Sequence, residues 1–159
     1  LVEQHMDACL SVDLGITGVN AEVMIGQWEY QLFGKGQRDV ADDLWLSRYI
    51  LYRLAETHKI NIELHPKPMK GDWNGSGMHI KGYGAHNDER LTGDHETQSI
   101  DEFSYGVSDR GASIRIPINV ANNEWKGYLE DRRPSSNACP YTIVKLITKN
   151  TRILEPKLD

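Results

Sequence analysis

The sequence carries no excess of positive charge. Lysine and arginine number 18 against 23 aspartates and glutamates, so the 159-residue chain has a formal net charge of −5. Nucleic acids and anionic membranes attract basic surfaces, and this composition argues against either as a partner. The sequence also lacks any apolar run near the roughly 18 residues that would cross a bilayer. We therefore expect a protein that binds neither nucleic acid nor membrane.

Cysteine is scarce as well. Cys9 and Cys139 lie far apart and in no metal-binding spacing, which favours buried free thiols over a disulfide. The first residues lack the basic and then apolar pattern of a secretory signal peptide. These absences predict a cytoplasmic protein.

The length predicts one domain over residues 1–159, without internal repeats or low-complexity tracts. Hydrophobic periodicity and turn residues predict the following elements: a helical segment over 1–14, a β-rich segment over 16–33 that turns at Gly26, a helix over 39–58 capped by Asp39, strands over 60–64 and 113–120, and a closing helix over 140–154. The turn at Gly26 should bring the carboxylates of Glu22 and Glu29 close together.

Two carboxylates and two guanidiniums stand together in Gly127-Tyr-Leu-Glu-Asp-Arg-Arg-Pro134. A carboxylate can ligate a hard cation, and an arginine can bind a phosphoryl or carboxylate group through its planar set of N–H donors. The run is typical either of a place where a metal meets an anion or of a surface loop whose charges neutralise one another. These eight residues alone leave both interpretations open.

Three further motifs precede this run in the chain. They are Asp72-Trp-Asn-Gly-Ser-Gly-Met-His79, Arg90-Leu-Thr-Gly-Asp-His-Glu-Thr97 and Gly106-Val-Ser-Asp-Arg-Gly-Ala-Ser-Ile-Arg-Ile-Pro117. With all four motifs in this order, the sequence resembles glutamine synthetase, and more closely the eukaryotic-type branch that bacteria also contain. The resemblance implies an α+β catalytic domain in which a curved antiparallel sheet, backed by helices, lines the active site. It also implies that an N-terminal β-grasp domain and an internal helical segment are missing from this chain.

The internal gap falls between His79 and Arg90. Only ten residues separate them here, whereas the family has several dozen, largely helical. A natural deletion, an engineered deletion and a sequence from which segments were omitted all fit this pattern.

The resemblance also implies metal ligands. Glu22 and Glu29 fall on the family's ligands for one metal, and His79 and Glu130 fall on those for a second. Oxygen ligands suit Mg²⁺, and the histidine makes Mn²⁺ equally acceptable. The family adds to each site a glutamate from an upstream segment that this sequence lacks. We expect two or more Mg²⁺ or Mn²⁺ ions per active site, with ATP as co-substrate.

The remaining candidate residues would bind substrates or act in catalysis. Through the resemblance, the expected glutamate ligands are Asn74, Gly75, Arg90 and Arg132, the expected ATP or phosphate ligands are Arg110, Arg115 and Tyr128, and the expected catalytic residues are Glu96, Arg110 and Arg132. Fixed guanidiniums suit a transferring phosphoryl group, and a carboxylate at Glu96 can attract ammonium and later accept its proton. Taken singly, Tyr128 also suits a core and Glu96 a helix cap.

The function implied by the resemblance is ATP-dependent ligation of ammonia to the side-chain carboxylate of glutamate through γ-glutamyl phosphate. Two alternatives stay open: a relative that joins glutamate to an amine or polyamine, and a non-catalytic structural relative. The family further implies a homo-oligomer of stacked rings, a decamer or dodecamer, whose active sites lie between subunits.

Overall fold

The computed structural model describes residues 1–34, 36–78 and 87–153. The chain forms two compact units, Leu1–Glu63 and Leu64–Asp159. Helices and strands occur in both units, which confirms the predicted α+β class.

The first unit contains two helices and two strands. They are α1 (Val2–Ser11), β1 (Ile16–Ala21), β2 (Trp28–Leu32) and α2 (Gln37–His58). Cys9, Leu14 and Ile16 form the buried core. Five partly buried side chains pack against it: Met6, Val19, Tyr30, Leu32 and Ile50. One face of the β1–β2 pair therefore belongs to the core.

Strands β1 and β2 form an antiparallel hairpin, in which Val19 lies opposite Tyr30 and Asn20 lies opposite Glu29. Gly26 has a φ angle of 83°, a left-handed conformation that glycine adopts without the steric cost of a side chain. The predicted hairpin and its turn at Gly26 are confirmed.

Helix α2 begins two residues before its predicted start. Gly36 is the N-cap residue, and no side chain caps the helix by a hydrogen bond. The prediction that Asp39 caps the helix is wrong, because the chain is already helical at Gln37. Asp39 instead lies in the first turn, where its carboxylate interacts favourably with the positive end of the helix dipole.

Both cysteines are free thiols. Cys9 is buried, with its Sγ 3.4 Å from His5 Nε2 and 3.8 Å from Ser47 Oγ, and burial raises the pKa of its thiol. Cys139 is exposed, so the expected burial holds for Cys9 only.

The second unit contains three short strands and two helices. They are β3 (Tyr105–Val107), β4 (Ile114–Ile116), α3 (Ile118–Asn122), β5 (Glu130–Asp131) and α4 (Pro140–Ile153). The strand order is β3-β4-β5, with β3 parallel to β4 and β4 antiparallel to β5. The antiparallel pairing of β4 with β5 is the part of this sheet that positions the candidate site.

Two predicted strands differ from the structure. Residues 60–64 do not form a strand, because no described segment pairs with them, although their apolar side chains alternate. The strand predicted over 113–120 ends at Ile116, because Pro117 has no N–H for a ladder and the chain then turns into α3.

The predicted closing helix is confirmed as α4. It begins at Pro140, where a proline is well tolerated because the first helical N–H has no partner within the helix. Across the described part of the chain, no helix is both long and apolar enough to span a membrane.

A substitution at Gly15 tests the close packing at the start of the hairpin. A Cβ at Gly15 would stand 2.2 Å from the carbonyl oxygen of Phe33, whereas a Cβ at Gly18 would meet Gln31 Oε1 at 3.6 Å. Gly15→Ala should lower the free energy of unfolding by about 2 kcal/mol through overpacking, and Gly18→Ala should change it by less than about 1 kcal/mol. Chemical denaturation followed by circular dichroism measures both values. Equal stability of the two variants would contradict this packing.

Candidate active site

The hairpin presents two carboxylates on the face opposite the core. Asn20 lies directly across from Glu29, and Glu22 follows Asn20 by two residues, so strand alternation directs these side chains to the same side. Asn20 Nδ2 donates to Glu22 Oε1 at 2.8 Å, and Gln31 Nε2 donates to Glu29 Oε1 at 3.1 Å. Neighbouring amides thus orient both predicted metal ligands of the first site.

Strand pairing in the second unit places Arg115 of β4 directly opposite Glu130 of β5. Arg115 Nε contacts Glu130 Oε2, and Arg132 Nη1 donates to Glu130 Oε1 at 2.8 Å. The Glu130 side chain is only 12% exposed, and two positive charges compensate the desolvation of its carboxylate. Glu130 and Arg132 meet on one side of the extended segment, as their spacing of two residues predicts.

Glu96 lies in a turn where both His95 and Glu96 have positive φ angles, 52° and 59°. Such angles are uncommon for residues that carry a Cβ. The Glu96 carboxylate accepts hydrogen bonds from Asn74 Nδ2 at 3.0 Å and from Arg110 Nη1 at 3.3 Å. Its main-chain carbonyl accepts one from Arg132 Nη2 at 3.4 Å, and this contact joins Glu96 to the group around Glu130.

Six predicted site residues therefore form one connected group, which we call the arginine–carboxylate network. Its members are Asn74, Glu96, Arg110, Arg115, Glu130 and Arg132. They come from four separate segments of the second unit. Three guanidiniums against two carboxylates leave one positive charge in excess, so the network is suited to bind an anion.

Arg90 is buried beside this network and binds main chain. Its Nη2 donates to the carbonyl oxygens of Arg132, Arg133 and Pro134 at 2.9, 2.8 and 3.1 Å, and its Nε donates to Asn87 Oδ1 at 3.2 Å. Burial, together with the nearby charge of Arg132, lowers the pKa of Arg90 to about 10. The resemblance predicts a glutamate contact for Arg90, while the structure places its donors on residues 132–134.

Gly75 lies against the Arg90 side chain. A Cβ at Gly75 would stand 2.5 Å from Arg90 Cγ and 2.8 Å from the carbonyl oxygen of Pro66. Gly75 leaves room for the Arg90 side chain because glycine has no Cβ. The predicted contact of Gly75 with glutamate is a separate expectation.

Two predicted residues stand outside these contacts. Tyr128 is 64% exposed, so the alternative of a core tyrosine is wrong and its ring is accessible. His79 lies outside the described residues. Within the ranges 1–34, 36–78 and 87–153, no group of three or more histidines, cysteines, aspartates or glutamates could hold a metal ion.

The carboxylate pair of the hairpin fits a divalent cation better than Glu130 does. Glu22 and Glu29 project from one face and offer the oxygen ligands that Mg²⁺ and Mn²⁺ prefer. Both oxygens of Glu130 are engaged by guanidiniums. Each of these oxygens has a further lone pair, so a metal ion bound at Glu130 would share them with the guanidiniums of Arg115 and Arg132.

Sequence reasoning missed Asn87 and Asp72. Asn87 is buried, and its Nδ2 donates to the carbonyl oxygen of Arg133 at 2.6 Å. Asp72 Oδ1 lies 3.1 Å from His95 Nδ1. Asp72 opens one of the recognised motifs, whereas Asn87 belongs to none and is signalled only by its position three residues before Arg90.

Comparison with known proteins agrees with these motifs. The family described as glutamine synthetase, catalytic domain, matches residues 1–99. Glutamine synthetase of Bradyrhizobium diazoefficiens is 46% identical over 181 residues, which cover 94% of this chain and 53% of the relative. Glutamine synthetase of Emericella nidulans is 46% identical over 180 residues, and that of Schizosaccharomyces pombe is 45% identical over 180 residues, each covering 94% of this chain and 50% of the relative. The chain belongs to the glutamine synthetase catalytic-domain family, as its motifs predict.

The chain spans about half the length of these relatives. The match to the bacterial relative extends over 181 residues although this chain has 159, a difference of 22. The relative therefore carries at least that many residues without a counterpart here, which agrees with the short span between His79 and Arg90.

Because Arg90 donates several hydrogen bonds to main-chain carbonyls, replacing it should have a large effect on the stability of the fold. Arg90→Lys should lower the free energy of unfolding by about 2–4 kcal/mol, because one ammonium group cannot replace a planar guanidinium bonded to several buried carbonyls. Arg110→Lys is the matched control, because the Arg110 side chain is 62% exposed and exposed ion pairs contribute about 0–1 kcal/mol. Denaturant titration compares them. An Arg90→Lys variant as stable as Arg110→Lys would show that Arg90 does not brace residues 132–134.

Proposed function

We propose that the protein ligates ammonia to the side-chain carboxylate of L-glutamate with ATP, through γ-glutamyl phosphate, to give L-glutamine, ADP and phosphate. The observation that carries this proposal is the arginine–carboxylate network, which gathers four motif segments into one group with an excess of positive charge. The name of the relatives, glutamine synthetase, supports the same activity.

The guanidiniums of the network suit phosphoryl transfer. A carboxylate oxygen is a poor leaving group. Transfer of the γ-phosphoryl group of ATP to that oxygen, with release of ADP, makes an acyl phosphate. Ammonia then attacks its carbonyl carbon and phosphate leaves.

Donors that are fixed before the reaction stabilise the charge on the phosphoryl oxygens without rearrangement. Arg132 is held by Glu130 and the Glu96 carbonyl, and Arg110 by the Glu96 carboxylate, so we assign both arginines to the transferred phosphoryl group.

Glu96 is assigned to the second step. Its carboxylate is 41% exposed, so a cation can reach it, while Asn74 and Arg110 fix its orientation. An ammonium ion bound there can pass a proton to the carboxylate, and the resulting ammonia is the nucleophile. The same segment would keep water from the acyl phosphate.

The other residues are assigned by substrate. Glutamate is assigned to Asn74, Gly75, Arg90 and Arg132, and ATP to Arg110, Arg115 and Tyr128. Of the glutamate group, Asn74 and Arg132 belong to the network, and Arg90 supports Arg132 through its main chain. The exposed ring of Tyr128 is available for contact with the nucleotide.

Divalent ions, Mg²⁺ or Mn²⁺, would neutralise charge on the phosphates during transfer. Glu22 and Glu29 would hold one ion from the outward face of the hairpin, and His79 with Glu130 would hold a second. The proposal also includes a cytoplasmic homo-oligomer of stacked rings, with active sites between subunits.

The acceptor distinguishes the leading proposal from its nearest alternative. An amine or polyamine ligase would use the same phosphoryl chemistry and differ only in the pocket for the nucleophile, so product analysis with ammonia, ethanolamine and putrescine separates the two. A non-catalytic relative is disfavoured, because all three network arginines and both carboxylates are kept together with their contacts.

Arg132 and its neighbour Arg133 give a matched test. Arg132→Lys keeps the charge but loses the planar guanidinium, and it should lower kcat by about 100- to 1,000-fold, or about 3–4 kcal/mol, with a smaller change in KM. Arg133 instead pairs with Asp131 through two hydrogen bonds, at 2.9 and 2.6 Å. Arg133→Lys should therefore keep kcat within about threefold while lowering stability, because lysine cannot form both bonds in the same geometry. Steady-state assay of glutamine formation and thermal denaturation measure both. Near-normal turnover of Arg132→Lys would remove Arg132 from the phosphoryl site.

A further inference from the structure

We propose that Asn87 is a positioning residue, which fixes the main chain of residues 132–134 and thereby the orientation of Arg132 in the arginine–carboxylate network. The inference rests on the function proposed above for that network. It concerns a residue outside every motif that points to the family.

Both ends of the Asn87 amide are used. The side chain is buried, with 4% of the residue exposed. Its Nδ2 donates to the carbonyl oxygen of Arg133 at 2.6 Å, and its Oδ1 accepts from Arg90 Nε at 3.2 Å. The Asn87 main-chain carbonyl accepts from the N–H groups of Arg90 at 3.2 Å and Leu91 at 2.9 Å. One residue therefore ties the Arg90 guanidinium and the 132–134 segment to a single turn.

The Asn87 amide can make this pair of contacts because it carries a donor at Nδ2 and an acceptor at Oδ1. An aspartate at this position would keep the acceptor for Arg90 Nε but could not donate to the Arg133 carbonyl. An alanine would remove both contacts and leave the Arg90 Nε–H buried without its partner.

The surroundings make these hydrogen bonds decisive. Asn87, Arg132 and Arg133 line a cavity of about 220 Å³. Side chains beside a cavity lack packing partners on that side, so hydrogen bonds contribute more of the order of residues 132 and 133 there. Their position depends on hydrogen bonds, from Arg90 and Asn87 to the carbonyls and from the Arg132 N–H to Ser113.

The position of this main chain matters for turnover. Arg132 reaches Glu130 and the Glu96 carbonyl from it, and small displacements of a group that contacts a reacting phosphoryl lower rates steeply. Residues that orient the ligands of a metal typically contribute about 10- to 100-fold to activity, and we expect an effect of the same size here. Asn87 itself contacts no proposed substrate atom, so its loss should act on kcat more than on KM.

The test compares Asn87→Ala with two controls in the assembled protein. Asn123→Ala removes an exposed amide that donates to nearby main chain, the carbonyl of Lys126 at 3.2 Å. Ile143→Val removes one methylene from a residue that is 1% exposed, and it lowers stability without removing any hydrogen bond that holds residues 132–134. We expect Asn87→Ala to lose about 10- to 100-fold in kcat, with KM for glutamate and ATP changed less than about threefold, and both controls to keep kcat.

Amide hydrogen exchange supplies a readout that does not depend on activity. The N–H of Met78 donates to the carbonyl oxygen of Pro134, and the N–H of Ser136 donates to that of Ser76. Peptides that contain Met78 or Ser136 should exchange faster in Asn87→Ala than in Ile143→Val. If Asn87→Ala does not fold, Asn87→Asp is measured instead, and the same direction is expected for kcat and exchange.

Each outcome decides the inference. Unchanged kcat, unchanged exchange, an effect confined to KM, or an equal loss of kcat in Ile143→Val would overturn the positioning role. If the wild-type protein forms no glutamine, the proposed function fails while the exchange measurement still decides whether Asn87 holds the segment.

Discussion

The carboxylate of Glu130, held between the guanidiniums of Arg115 and Arg132, is the interaction on which the candidate site depends. A largely buried carboxylate is costly unless positive groups and hydrogen bonds compensate its desolvation. The β4–β5 register supplies Arg115 directly opposite, and the extended chain supplies Arg132 two residues further on. Removing either arginine would leave Glu130 poorly compensated, so the three residues constrain one another.

Other residues of the second unit extend the contacts of Arg132 and hold its main chain. Arg132 reaches the Glu96 carbonyl, and through Glu96 the contacts extend to Asn74 and Arg110. Arg90 and Asn87 hold the main chain that follows Glu130. Burying Arg90 close to Arg132 places like charges together, which lowers the pKa of Arg90 in addition to the effect of burial. An excess of positive charge beside the largely buried Arg132 is suited to a phosphoryl group, whose binding would relieve that repulsion.

The features that were predictable from sequence depend on short spacings. The turn at Gly26 follows from a glycine between two β-rich segments, and the meeting of Glu130 with Arg132 follows from their spacing of two in an extended chain. The closing helix follows from its periodicity and Pro140. Each of these predictions needs only a few neighbouring residues. The four motifs identified the family and, through it, the residues of the candidate site.

The features that were not predictable depend on distant partners. The alternation of apolar and polar side chains over residues 60–64 is the same whether or not another strand pairs with them. A motif arginine such as Arg90 looks the same in sequence whether it faces a ligand or the carbonyls of residues 132–134. The cap expected at Asp39 failed because Gly36 began the helix earlier. Asn87 carries no motif, and its role follows from contacts with residues more than 40 positions away.

The central claim is that the network activates the glutamate side chain by phosphorylation. The most direct measurement uses L-glutamate labelled with ¹⁸O in its side-chain carboxylate, with ATP, Mg²⁺ and ammonia, and follows the isotope in the phosphate released. The account predicts that one labelled oxygen from glutamate appears in phosphate for each glutamine formed, and that Arg132→Lys slows glutamine and labelled phosphate equally. Glutamine formed with phosphate free of the label would contradict it, because the carboxylate oxygen would then not leave as part of phosphate.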